Sequence, residues 1–196
     1  MKPFSQACEN NKGPIIEVLR PFFADRKQIL EVGSGTGQHA VFFAEHLPHL
    51  EWQCGDLTIN HPGILQWLQE FPLPNIKPPI NLDADLPVWE IGQFDAVFSA
   101  NTLHIMSWQQ VEKLFAHLQG VLSPKAKLAI YGPFNYNGNF TSDSNERFDR
   151  WLKEQKPTQG IRDFEKVNAL AEKIGLTLFA DNAMPANNRL LFWQRS

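Results

Sequence analysis

The run Glu31-Val32-Gly33-Ser34-Gly35-Thr36-Gly37 lies between a β-rich stretch, residues 28–32, and an apolar segment that opens at Ala40. A buried strand that passes through three closely spaced glycines into a helix presents backbone amides, not side chains, at the helix N-terminus, where a nucleotide-like ligand can come close. The spacing separates ligands. A dinucleotide fingerprint reads Gly-x-Gly-x-x-Gly; here the third glycine arrives one residue early, and Glu31 stands two places before the first.

The order of the remaining elements points to an α/β sheet. Apolar residues at helical spacing predict a helix over residues 11–23, entered near Pro14. Strands are predicted at 28–32, 50–54, 77–82, 94–99, 127–131, 176–180 and 190–194, with helices at 38–46, 62–69, from Ser107 to Leu122, from Asp143 to Leu152, and from Asp163 to Ile174. Pro78 and Pro79 cannot donate to a ladder, which sends the third strand to an edge. Helices alternate with strands until a final strand pair, so the expectation is a seven-stranded Rossmann-like sandwich whose last strand runs antiparallel. The 196 residues suit one domain, with residues 1–26 forming an N-terminal arm and helix.

Composition removes other classes. No apolar run approaches the ~20 residues of a membrane span, and the start, Met1-Lys2-Pro3-Phe4-Ser5-Gln6, has no apolar signal core. The expectation is therefore a cytoplasmic protein. Eighteen basic and 21 acidic residues give a net charge of -3, which disfavours a phosphate-backbone partner and leaves a small-molecule substrate. Cys8 and Cys54 form no Cys-x-x-Cys pair, and His46 and His49 lack completing ligands, so no metal is expected. Neither a Gly-x-Ser-x-Gly elbow nor a phosphate-loop lysine follows the glycines.

The acidic Gly-x-Gly-x-Gly pattern resembles motif I of the S-adenosylmethionine-dependent methyltransferases. In such a sheet, ligands lie beyond the carboxyl ends of the strands. The cofactor candidates are accordingly Glu31, Gly33, Ser34 and Gly35 after strand one; Asp56 and Leu57 after strand two; Asp83 and Ala84 after strand three; and Asn101 after strand four. Asp56 can accept from ribose hydroxyls, or simply serve a turn. Asp83 can accept from the adenine amino group, or stand as a solvated loop carboxylate. His104 can face the acceptor as a base or orienting group, or be a buried histidine bonded to backbone. Tyr131, opening Tyr131-Gly132-Pro133-Phe134, borders the acceptor in methyltransferases.

Residues 4–15, 30–39, 94–105, 131–134, 160–163 and 184–188 together resemble the small uncharacterised methyltransferases similar to methyltransferase-like protein 26. That resemblance implies the fold and the cofactor, S-adenosylmethionine, but names no acceptor. Asn10, Asn11, Arg162, Asn187 and Asn188 belong to it and not to the general cofactor motif. They are the acceptor-side candidates, with Arg162 counted with His104 and Tyr131 as catalytic; turn or cap duty for the asparagines and an ion pair for Arg162 are the alternatives. The expected activity is methyl transfer to a small nucleophile. Its rivals are a non-catalytic S-adenosylmethionine-binding protein and, less favoured by the glycine spacing, a nicotinamide-dependent oxidoreductase. Asn10 and Asn11, placed before the helix, further suggest an arm that folds over the site as a lid.

Overall fold

The computed structural model describes residues 2–196. In chain order the elements are α1 (Gln6–Phe22), β1 (Gln28–Val32), α2 (Gln38–His46), β2 (Glu51–Asp56), α3 (His61–Glu70), β3 (Ile76–Asn81), β4 (Phe94–Ala100), α4 (Trp108–Val121), β5 (Leu122–Gly132), β6 (Phe134–Asn135), α5 (Asp143–Gln155), β7 (Arg162–Asp163), α6 (Phe164–Lys173), β8 (Leu176–Met184) and β9 (Asn188–Arg195). Seven strands form one sheet in the order β3-β2-β1-β4-β5-β9-β8. The strands β3 to β5 are parallel, whereas β9 runs antiparallel to both β5 and β8. The proline-bearing β3 is an edge, as its missing donors require. The tiny β6–β7 pair lies outside this sheet and was not legible in the sequence.

Alternation along the strands divides the core in two. Ile29, Trp52, Ala96, Phe98, Ala129 and Phe192 face α1, α2 and α3, while Leu30, Val97, Leu128, Ile130, Leu191 and Trp193 face α4 and α6. Continuous apolar strands are what a sheet covered on both faces demands. Trp52 and Trp193 are fully buried on opposite faces. Each removes roughly 150–250 Å² from water, on the order of 4–6 kcal/mol of apolar transfer.

One expectation is corrected at the N-terminus. The helix α1 is not entered at Pro14; it begins at Gln6, capped by the Ser5 hydroxyl, which accepts from the Cys8 amide at 3.3 Å. Pro14 sits inside it. At Pro14 the preceding residue is Gly13, which has no Cβ for the proline ring to meet; the helix also continues through Pro21, and each proline leaves one backbone hydrogen bond unmade. Asn10 and Asn11 are thus helical residues and not part of a free arm. The helix α5 is capped by Ser142, one residue before the predicted start at Asp143, its hydroxyl accepting from the Asn145 amide at 3.1 Å. Ser107 and Gln110 form a capping box on α4.

Chain order reverses between β1 and β4, the first strands laid down on either side of the crevice. All the loops that leave β1, β2, β3, β4 and β5 at their carboxyl ends converge there.

Candidate functional site

A cavity of about 930 Å³ opens at those loops, within the range that holds a drug-sized ligand. At its base the chain leaves β1 through Gly33 (φ 79°) and Gly35 (φ 57°), backbone that other residues adopt only under strain. The two glycines are needed for different reasons. A Cβ on Gly33 would overlap the Thr102 side chain, whereas one on Gly35 would meet nothing within 4 Å. Gly33 lets two loops touch; Gly35 faces open cavity.

The turn is fastened from below. The amides of Gly33 and Ser34 donate to the Gly55 carbonyl at 2.9 and 3.1 Å. The Ser34 hydroxyl accepts from the Gly55 amide at 3.1 Å and donates to Glu31 at 2.8 Å, and the Trp52 indole donates to the same carboxyl oxygen at 3.1 Å. Glu31 is 1 % exposed and does not line the cavity. Its expected contact with cofactor is therefore corrected to support of the turn. Burial pushes its carboxyl up to about 7, against the lowering effect of those two bonds and with a further push from Asp56.

Asp56 does line the cavity, and it is already engaged. Its carboxylate accepts from the Gly35 amide at 2.6 Å, the Leu57 amide at 2.7 Å and the Asn60 side chain at 2.8 Å. The turn alternative for Asp56 is thus real, and it is compatible with a ligand, because a carboxylate offers about four acceptor positions. Farther out, the Asp83 carboxylate accepts from the Asp85 amide at 2.8 Å, and Ala84, Trp89 and Leu114 make an apolar wall. Trp89 stacks on His117 at 4.7 Å and donates to the Asp83 carbonyl.

The opposite end is built from distant segments. Asn101, with φ 55°, donates its amide to the Tyr131 carbonyl at 2.9 Å, which docks the loop after β4 on the end of β5. His104 follows, buried beside Phe148 of α5 with ring centroids 5.3 Å apart. Among the described residues its ring nitrogens have no hydrogen-bond partner, so it is not the backbone-bonded histidine of the alternative reading. Burial, aided by the Arg162 charge, holds its pKa down near 4. Asn11 accepts from His39 Nε2 at 2.7 Å, and burial likewise holds His39 near 4, so the neutral ring is the donor. Burial raises the Tyr131 phenol, with the Asn11 and Asn188 side chains working against it.

The turn between β8 and β9 closes this end. Ala186 (φ 57°) and Asn187 (φ 58°) are both left-handed without being glycine, and strain of this kind gathers at ligand sites. The Asn187 carbonyl accepts from Asn145 of α5 at 3.1 Å, and its side chain donates to Ser144 at 3.2 Å. Asn10, Asn11, Asn187 and Asn188 all line the cavity, with Cys8, Asn145 and Phe148. The only formally charged lining residues among those described are Asp56, Asp83 and Lys156.

Of the candidates read from the sequence, Gly33, Ser34, Gly35, Asp56, Leu57, Asp83, Ala84, Asn101, His104, Tyr131 and the four asparagines meet in this one cavity; Glu31 and Arg162 stand outside it. Arg162 is neither a cavity group nor the partner of a surface carboxylate. Its guanidinium donates to the carbonyls of Leu103 at 3.0 Å, Thr158 at 3.1 Å and Met106. Sequence reasoning missed His39, Trp89, Asn145 and Phe148. His39 had a signal, for it lies two residues beyond Gly37 in the first turn of α2, directly above the glycines.

The N-terminus is pinned and not loose. Gln38 accepts from the Ser5 amide at 2.5 Å and donates to the Ser5 carbonyl and to Glu9, while the Trp67 indole donates to the Pro3 carbonyl at 2.7 Å. A lid hinged before the helix has no hinge here.

A family model described as "Protein of unknown function (DUF938)" matches residues 2–195. Solved structures supply the fold. An O-methyltransferase family protein from Burkholderia thailandensis superposes with a TM-score of 0.83 at 17 % identity, covering 97 % of this chain and 57 % of that one. Mitomycin 7-O-methyltransferase gives 0.84 at 14 %, covering 97 % and 54 %. An O-methyltransferase family 2 protein from Planctomyces limnophilus, solved in complex with apigenin, gives 0.74 at 16 %, covering 87 % and 51 %. The chain spans a little over half the length of these proteins. The fold is that of the Rossmann-like methyltransferases. Among the described residues, no helix is long and apolar enough to cross a membrane.

Proposed function

The chain belongs to the DUF938 family, and we propose that it is an S-adenosylmethionine-dependent methyltransferase acting on a hydroxyl of a small, uncharged molecule. The observation that carries the reading is Gly35. It forms part of a turn spaced unlike a dinucleotide fingerprint, and its missing side chain faces the open cavity of a methyltransferase fold. The match with the group similar to methyltransferase-like protein 26, one domain over residues 1–196, and action in the cytoplasm belong to the same proposal.

The residues fit the cofactor. Gly33, Ser34 and Gly35 would approach it by backbone; Asp56, with its remaining acceptor position, and Leu57 would hold the ribose; Asp83 and Ala84, beside Trp89, the adenine; and Asn101 the amino acid end. When bound, S-adenosylmethionine supplies an electrophilic methyl group on a cationic sulfonium.

The chain's own contribution is placement, exclusion of water and one proton transfer. Asn10, Asn11, Asn187 and Asn188 give the acceptor uncharged hydrogen-bonding partners, and among the described residues that line this end there is no carboxylate to hold an ammonium group. His104, neutral at pH 7 with free ring nitrogens, is the group that takes the acceptor's proton. Tyr131 sets the wall between the two halves. O-methylation is also what the names of the superposed proteins state for them.

The test has two stages. Calorimetric titration with S-adenosylhomocysteine, alongside NADH, identifies the cofactor; labelled S-adenosylmethionine is then offered with phenolic, aliphatic and amine acceptors. Binding of NADH alone refutes the reading. Binding of S-adenosylhomocysteine with no turnover on any acceptor returns the non-catalytic alternative.

A further inference from the structure

The loop that carries His104 is Leu103-His104-Ile105-Met106, and every one of its four carbonyls is taken by a single short segment. The Leu103 carbonyl accepts from Arg162 Nε at 3.0 Å, the His104 carbonyl from the Gly160 amide at 2.9 Å, the Ile105 carbonyl from the Gln159 side chain at 3.1 Å, and the Met106 carbonyl from Arg162 Nη2. Leu103 and His104 are buried, so their carbonyls need partners within the protein, and the same segment extends that pairing to Ile105 and Met106 at the surface end of the loop.

The strap is itself anchored. Asp149 of α5, 4 % exposed, accepts from the Ile161 amide at 2.8 Å and from Lys153 at 2.6 Å. One residue earlier on the same helix, Phe148 packs its ring against His104. Gly160 has φ 151°, and a Cβ there would crowd the Asp149 carboxylate, so the strap can lie this close only with glycine at that position. The helix that shapes the cavity wall and the strap that holds the loop are one assembly.

We propose that Arg162, acting with Gln159 and Gly160, is a positioning residue that fixes the loop 103–106 and thereby aims the His104 ring into the cavity. The proposal rests on His104 as the group that faces the acceptor. Arginine suits the task. Its planar fork reaches Leu103 and Met106 together, a span that the single ammonium of lysine cannot bridge.

The experiment follows the His104 ring itself and needs neither cofactor nor acceptor, so its outcome is separate from that of the methyltransferase reading. The imidazole resonance of His104 is titrated by NMR in the wild-type protein, Arg162→Gln, Arg162→Lys and Gln159→Ala. The wild-type midpoint should lie near 4. Arg162 is the charged group that bears on His104, and the lysine variant keeps that charge while losing the fork. If the loop is held by the fork, water reaches the ring in Arg162→Lys and Arg162→Gln alike. Both midpoints then rise toward the ordinary value near 6.5, with a smaller rise in Gln159→Ala. A wild-type midpoint in Arg162→Lys, whether or not the melting temperature falls, overturns the proposal and leaves Arg162 a stabilising residue. Should both Arg162 variants fail to fold, Gln159→Ala decides: an unshifted midpoint there refutes it.

Discussion

The two ends of the cavity are made in opposite ways. The end under the glycine turn is built from backbone amides and short polar side chains at the carboxyl ends of β1, β2 and β3, bonded across the directly paired parallel strands β1 and β2. The end around His104 is assembled from α1, α5, the loop after β4 and the β8–β9 turn, held together by side chains reaching across tens of residues, such as His39 to Asn11 and Asn145 to Asn187. The first end carries a pattern that the chain order alone can impose, because a strand-turn-helix unit leaves little freedom over where its amides point. The second depends on which residues the fold brings together, and under the proposed function it could take different acceptors without disturbing the turn.

The largest expected effect tests this division within the glycine turn. Gly35→Val places a side chain in open cavity, so binding of S-adenosylhomocysteine should be abolished. The left-handed backbone adds only about 1–2 kcal/mol of strain, a melting-temperature loss of several degrees for a chain this long. Gly33→Ala should do the reverse in emphasis. Its Cβ overlaps Thr102, which is protein and not ligand, so stability falls first. Native affinity for S-adenosylhomocysteine in Gly35→Val would show that Gly35 does not face a ligand site.

Asp56 comes next, since it serves both the turn and the proposed ribose. Removing it in Asp56→Ala unpairs the amides of Gly35 and Leu57 and the Asn60 side chain. Hydrogen bonds to a charged group contribute roughly 1.5–3 kcal/mol, so affinity for S-adenosylhomocysteine should fall by about tenfold to a hundredfold. The melting temperature should fall as well. Native affinity measured by calorimetry would leave Asp56 a turn residue only.

How far the sequence reached follows the same division. The glycine turn, Asp56, the edge position of β3 and the antiparallel β9 were legible because local spacing and proline chemistry dictate them. The start of α1 was not, because Pro14 looks like a first-turn residue, whereas the helix is capped by Ser5 and runs through two prolines. Glu31 was read as a ligand for lack of any sign that Trp52 and Ser34 would enclose it, since those partners are set by the β1–β2 register. Arg162 was misplaced for the same reason: its acceptors are carbonyls, and no residue type announces a carbonyl.

Glu31 and the two buried histidines make the contrast visible in pH. The Glu31 carboxyl, ordinarily 4.5, is raised to about 7 in the folded state, which therefore holds the extra proton between those values. Its contribution is greatest below about 4.5 and is lost as pH rises toward 7. His39 and His104, ordinarily 6.5, are lowered to about 4; the unfolded state binds the extra protons, and stability is lost as pH falls from 6.5 toward 4. Glu31→Gln keeps an oxygen for Ser34 and Trp52 and removes only the first trend. Urea unfolding should show the variant gaining on the wild type by up to about 3 kcal/mol between pH 4.5 and 7. Parallel curves would mean that the carboxyl reaches water.

The smallest effect concerns the β8–β9 turn, where Ala186 and Asn187 are left-handed and Asn187 is bonded to α5. An alanine in this conformation costs about 1 kcal/mol relative to glycine. Ala186→Gly should therefore gain at most that amount, offset in part by the greater freedom of glycine in the unfolded chain. The net change in melting temperature is expected to stay within about 2–4 °C. The informative reading is local. If the strain serves to present Asn187 and Asn188 to an acceptor, amide exchange at residues 186–188 should quicken in the variant while exchange in the glycine turn stays as it was. Affinity for S-adenosylhomocysteine should be unchanged. A variant that binds S-adenosylhomocysteine more weakly would show that the two ends are coupled, and that the division between a fixed cofactor end and a variable acceptor end does not hold.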